Sequence, residues 1–224
     1  MISGHSADYI NIHSHKPVQN AGQVTVLNLS DHFEQVSLHP LVSIGLHPWY
    51  ISRENPQKVL SQIREYAIHP HVIAIGECGL DLLIDVPLLE QEFFFRDQIL
   101  LAESLRKPLI IHCVKAFNEL IRIKKEMDVT VPMIIHGFNN NAAIAGQLQQ
   151  HGFYLSFGKA LLKHHSPAIS QITQWPAERL FLETDDADTD ISRIFEAAAA
   201  CRQTSPEALR QQIFKNFKHV FLHE

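Results

Sequence analysis

The chain has 224 residues, 46% of them hydrophobic and 19% charged, with a formal net charge of −5 at pH 7. That length suits one domain, residues 1–224, with a real core. The acidic balance excludes a basic nucleic-acid coat, and the apolar runs are too short to span a bilayer. Cys78, Cys113 and Cys201 lie far apart with no C-x-x-C, which excludes a disulfide scaffold and points to reduced thiols. No charged segment leading into an apolar run opens the chain, so no secretory leader is expected and the expected compartment is the cytoplasm.

No fixed-period repeat or low-complexity segment interrupts the chain. Short apolar, β-branched runs recur at residues 9–13, 24–29, 41–47, 72–77, 108–112, 131–136, 153–157 and 180–185. They read as strands. Helix-like segments lie between most of them. Residues 55–68 open with Asn55-Pro56, an N-cap followed by a first-turn proline, and carry Val59, Leu60 and Ile63 at helical spacing. Residues 87–105, 115–127, 141–151 (closed by Gly152), 166–174, 191–201 and 205–217 are further helix candidates. Eight strands alternating with helices predict a parallel sheet of βα units, and eight is the number that closes a (β/α)8 TIM barrel. The barrel is shortened in its first βα units, since eight residues separate His15 from Val24. A doubly wound open sheet is the alternative; it predicts a site at one switch point.

In a barrel of this type the chemistry sits at the C-terminal ends of the strands. Those ends carry His13 and His15, His47, Glu77, His112, His136 and Asp185. Strand side chains alternate, so His13 and His15 leave the same face and can reach one cation. Imidazoles with carboxylates suit Zn²⁺, Mn²⁺, Fe²⁺ or Co²⁺, while a pure Mg²⁺ site favours oxygen. The pattern predicts two divalent ions, with Glu77 able to bridge them, a water activated by the metals, and a carboxylate as general base. Other features have plainer readings. Phe93-Phe94-Phe95 is expected to pack its helix onto the barrel. Cys78 faces away from Glu77. Trp49 either lines a pocket mouth or packs. Arg122, Lys124 and Lys125, with Lys115, form a solvated helix face.

The chain resembles the TatD family of metal-dependent hydrolases. The resemblance rests on NIHSH (11–15), GLHPW (45–49), IGECGLD (75–81), Gln91, PLIIH (108–112), IIHGF (134–138), LETD (182–185) and NFKHVF (216–221), in order over nearly the whole length. It implies a TIM barrel of the amidohydrolase type with a two-metal site acting on phosphodiesters, with DNA as the usual substrate. By position, His13 and His15 are implied as ligands of the first metal and Glu77 as the bridge. His112 and His136 are implied for the second metal, and Asp185 as the aspartate facing the nucleophilic water. His47 is expected to contact substrate or support the site.

Four departures stand out, one of them HGFNN (136–140) in place of a usual His-Cys-Phe-Ser-Gly. Asn11 replaces a usual Asp. Val114 replaces a common Arg, leaving Lys115 as the adjacent cation. An acidic segment, 185–190, replaces a usual Ala-Pro continuation. The expected partner is DNA or a small phosphoester, with no membrane, acted on by a monomer. The alternatives are a small-molecule amide, lactone or phosphoester hydrolase on the same metals, or a degenerate metal-binding barrel.

Overall fold

The computed structural model describes residues 8–17, 21–52 and 55–224. Its strands are β1 (Tyr9–Ser14), β2 (Gln23–Leu29), β3 (Val42–Ile44), β4 (Val72–Asp81), β5 (Leu109–Val114), β6 (Met133–Ile135), β7 (Tyr154–Phe157) and β8 (Leu180–Leu182). The α-helices are α1 (Pro56–Tyr66), α2 (Leu88–Leu105), α3 (Phe117–Glu126), α4 (Ala142–Gln150), α5 (Pro167–Gln174), α6 (Ile191–Cys201) and α7 (Pro206–Phe217). The strands follow one another in the sheet in chain order, β1 to β8. A doubly wound sheet would reverse its order at a switch point, so the topology is that of the (β/α)8 class. The expected trimming is present. Among the described residues no helix joins β1 to β2, and a 3-10 helix, Phe33–Leu38, stands where an α-helix would join β2 to β3. No helix among the described residues is long and apolar enough to cross a membrane.

The chain divides into two compact units, one running from Asn28 to Ile135, the other built from the chain up to Leu27 together with His136 onward. In the unit that includes both chain ends, β1 pairs in parallel with β2 from Tyr9↔Gln23 to Ser14↔Leu27, with a register shift between Asn11 and Ser14. Ser14 also bridges to Asp185 beyond β8. Ile10 and Ile12 on β1, and Leu180, Phe181 and Leu182 on β8, are fully buried. The helices of this unit start where a side chain can accept a backbone N–H. Asn141 accepts from Ile144, Ser166 from Ala168, Asp190 from Ser192 and Ser205 from Ala208. Each such cap contributes about 1 kcal/mol. Gly152 closes α4 at φ +73°, a conformation glycine adopts without strain.

In the 28–135 unit, β4 is buried at all ten positions, as a parallel strand covered on both faces must be. It runs on to Asp81, past the expected end at residue 77, while β3 stops at Ile44, short of the expected 47. Pairing with β5 as far as Asp81↔Val114 carries β4 on, and helix α2 serves the backbone at both ends. Gln98 takes over the backbone of Leu46, with N–H to Oε1 at 2.7 Å and Nε2 to the carbonyl at 3.1 Å, in place of strand pairing. Two turns earlier Gln91 does the same for Asp81, at 2.8 and 2.9 Å. Both glutamines are buried, and their i, i+7 spacing puts them on one helix face. The same geometry corrects the expectation for the phenylalanines. Phe94 and Phe95 are buried, but Phe93 is 57% exposed. Successive helix residues point about 100° apart, so three in a row cannot all face the core.

Candidate metal centre

The first cluster lies in the unit built from both chain ends. His13 ends β1 and is fully buried. The chain after β8 returns beside it, because Asp185 N–H bonds the His13 carbonyl at 3.0 Å and His15 N–H bonds the Asp185 carbonyl at 3.1 Å. Asn11 locks this arrangement. Its Nδ2 donates to Thr184 Oγ1 at 2.8 Å, and its Oδ1 accepts Thr184 N–H at 3.0 Å. The Asp185 Oδ1 then sits 3.7 Å from His13 Nε2 and 3.5 Å from His15 Nε2. One donor atom from each of the three lies within 4.8 Å of the others. Two imidazoles and a carboxylate so placed fit a divalent transition ion. Asp185 has a left-handed backbone, φ +54°, uncommon for a non-glycine residue and found at functional sites. Burial, then the negative charge of Glu183, pushes its carboxyl above the ordinary aspartate range.

His136 joins this unit beside His13, with ring centroids 4.5 Å apart. Its Nδ1 is 3.2 Å from Oε1 of Glu183, which also accepts the Gly137 N–H at 2.7 Å. Glu183 is fully buried. Burial opposes its charge, but His136, followed by His13 and Ser156, outweighs burial and holds the carboxyl below its usual range. With Nδ1 engaged, any ligand role of His136 falls to Nε2.

The second cluster lies in the 28–135 unit. Glu77, on β4, places Oε1 3.0 Å from His47 Nε2 and 3.1 Å from His112 Nδ1. These three again offer donor atoms within 4.8 Å of one another. Asn28 braces Glu77 by accepting its N–H at 3.2 Å. The other nitrogen of His112, Nε2, is 3.2 Å from Asp81 Oδ2, which also accepts the indole N–H of Trp49 at 2.7 Å. Burial raises the Asp81 carboxyl, but Trp49, the Leu83 N–H and His112 together hold it below the usual range. A close backbone approach supports this cluster. A Cβ on Gly79, φ +141°, would collide with the His112 carbonyl oxygen. Trp49 is half-exposed beside the cluster, at 5.0 Å from His47 and 5.7 Å from His112 by ring centroids. Cys78 is buried and bonds the Ile110 carbonyl at 3.8 Å, turned away from the donors as expected.

The structure therefore gathers His13, His15 and Asp185, with His136 alongside, in one unit, and Glu77, His112 and His47 in the other. His47 lies in a group of three with Glu77 and His112 whose donor atoms could hold an ion. Lys115 is exposed immediately after β5, at φ +61°, and belongs to neither group. The carboxylates behind the histidines, Asp81 and Glu183, went unassigned from sequence. The available signal was their place in the quoted motifs, IGECGLD and LETD. The acidic segment is also accounted for. Asp186 pairs with Lys159, Asp188 with Lys16 at 3.2 Å, and Asp190 caps α6.

The family described as TatD-related DNase matches residues 18–222. A metal-dependent hydrolase of Buchnera aphidicola subsp. Baizongia pistaciae is 29% identical over 197 residues, covering 81% of this chain and 74% of its own length. The 3′-5′ ssDNA/RNA exonuclease TatD of Rahnella sp. is 34% identical over 157 residues, covering 63% of this chain and 55% of its own. Among solved structures, YjjV, a TatD homologue from Escherichia coli K12, superimposes with a TM-score of 0.85 at 20% identity, covering 97% of this chain and 99% of that one. This likeness shows the fold. The family match over residues 18–222 leads to one assignment: the chain belongs to the TatD-related family of metal-dependent hydrolases.

Proposed function

We propose that the chain hydrolyses phosphodiester bonds in single-stranded nucleic acid, DNA first, using two divalent metal ions, Zn²⁺, Mn²⁺ or Mg²⁺. One ion is assigned to His13, His15 and Asp185, the other to Glu77 and His112, with His136 as a further ligand. The observation that carries the reading is the double character of Asp185. Its Oδ1 stands within 3.7 Å of two imidazoles, which leaves Oδ2, on the other side, to take a proton. The Rahnella relative, described as acting on single-stranded DNA and RNA, supports the substrate class.

A divalent ion bound at such ligands lowers the pKa of water toward about 7 and polarises a phosphoryl oxygen. The side chains do the rest. Asp185 takes the proton of the attacking water at its carboxylate. Glu183 and Asp81 fix the ring orientations of His136 and His112, so the donors are aimed before substrate arrives. Glu77 serves both as ligand and as the anchor of His47 and His112. His47 and the exposed Lys115 are assigned to substrate contact. The protein acts as a monomer in the cytoplasm in this reading, which suits its free cysteines, Cys78, Cys113 and Cys201.

Turnover of the metal-loaded protein on single-stranded DNA, single-stranded RNA, a small chromogenic phosphodiester, an amide and a lactone tests the reading. Metal-dependent cleavage of the phosphodiesters is expected, with the oligonucleotide preferred. Turnover confined to the amide or lactone would overturn it.

A further inference from the structure

The family resemblance implies an arginine where this chain has Val114, and valine has no charge to offer a phosphate. The unit holding Asp185 carries a cation from a different strand end. Lys159 follows Gly158 at the end of β7 and opens a 3-10 turn, Lys159–Leu162. Its Nζ lies 3.6 Å from Asp185 Oδ2 and bonds Asp186 Oδ1. The two oxygens of Asp185 are thus divided, Oδ1 toward His13 and His15, Oδ2 toward Lys159.

The Lys159 side chain is 46% exposed and Asp186 is 66% exposed. A surface ion pair of this kind contributes little and exchanges easily. A lysine head group is a point charge on a flexible stem, able to move between anions a few ångströms apart. The pairing also keeps the acidic segment from presenting bare negative charge to an incoming anion.

We propose that Lys159 is the phosphate-anchoring residue of this site: Asp185 and Asp186 hold its ammonium ready in the free protein, and substrate draws it from Asp186 onto a non-bridging phosphate oxygen. The role rests on the phosphodiesterase reading above. Nothing covalent changes at Lys159; one charge-assisted hydrogen bond is exchanged for another.

The test uses the full, metal-loaded chain with a fluorescent single-stranded phosphorothioate oligonucleotide, which resists cleavage. Lys159→Ala is expected to weaken binding about tenfold and to lower the slope of log K against log salt by about 0.7, the loss of one phosphate contact. Lys159→Arg retains both. Lys163→Ala, an equal charge change at an exposed neighbour, moves neither. On cleavable DNA the Lys159→Ala defect falls in KM, with metal content by elemental analysis unchanged. Normal affinity and salt slope in Lys159→Ala would overturn the proposal. So would a defect traced wholly to lost metal, because Lys159 would then only support Asp185. Should the wild-type protein bind no oligonucleotide, the nuclease reading fails by itself. Titration with inorganic phosphate then decides Lys159 separately: weaker phosphate binding in Lys159→Ala sustains the anchor, and equal binding refutes it.

Discussion

Glu183 stands 3.2 Å behind His136, its Oε1 on the ring Nδ1, and the same oxygen accepts the next backbone N–H at 2.7 Å. A fully buried carboxylate is therefore spent on aiming one histidine. Asp81 stands in the same relation to His112, at 3.2 Å from its Nε2. Each of the two units thus carries a histidine backed by a carboxylate, the arrangement that sets ring orientation and ligand basicity at metal sites.

Replacing Glu183→Gln keeps the shape but removes the charge that faces His136. Metal affinity is expected to fall about 10- to 100-fold, as for other partners behind a ligand. Competition with a chromogenic chelator measures it. Unchanged affinity with intact folding would remove Glu183 from the site.

Asp185→Asn tests the base. Asparagine is nearly the same size but cannot take a proton, so kcat should fall about 10²–10⁴-fold. The circular dichroism spectrum and Tm should stay near those of the parent, since the backbone bonds from Asp185 N–H and carbonyl do not involve its side chain. Comparable turnover in the variant would refute the assignment.

Much of this was legible in the sequence, and the reason is periodicity. Parallel strands covered on both faces read as apolar runs that stop where a polar side chain reaches the open end, so His13, Glu77, His112 and Asp185 announce themselves. The helix starts at Asn55-Pro56, Ser166-Pro167 and Ser205-Pro206 were equally readable, because the side-chain cap is local. What was illegible depends on distant partners. β4 runs to Asp81 because it pairs with β5 as far as Val114, and beyond β3 Gln98 bonds the Leu46 backbone in place of a neighbouring strand. The pairing of Lys159 with Asp185, or of Asn11 with Thr184, joins residues that only folding brings together.

Gly79 has no room for a side chain, since a Cβ there would meet the His112 carbonyl oxygen at a φ of +141°. Gly79→Ala should destabilise the chain by on the order of 3 kcal/mol. Chemical denaturation of the two proteins measures the difference. A loss below about 1 kcal/mol would show that β5 yields at His112.

Glu103 links α2 to the segment before β6. It accepts Thr130 N–H at 2.6 Å, Val131 N–H at 2.9 Å and the Thr130 hydroxyl at 2.8 Å. Burial opposes the carboxylate, but these bonds, with Lys124, hold the carboxyl below its ordinary value of 4.5. A depressed carboxylate stabilises the fold above the unfolded pKa, and that stability is lost as pH falls through the lower folded value. The stability gap between the parent and Glu103→Gln is therefore expected at pH 7, on the order of 1 kcal/mol after allowing for solvent screening. It should shrink steadily below pH 4.5. A gap that stays constant into acid would place its origin in packing.

The most direct test of the account is metal stoichiometry tied to activity. Elemental analysis of protein purified without chelator is paired with single-stranded DNA cleavage before EDTA, after EDTA and after each divalent metal is returned. Near two divalent ions per chain, with cleavage abolished by EDTA and restored by metal, is the predicted result. Cleavage that survives EDTA with no metal bound would contradict the central claim.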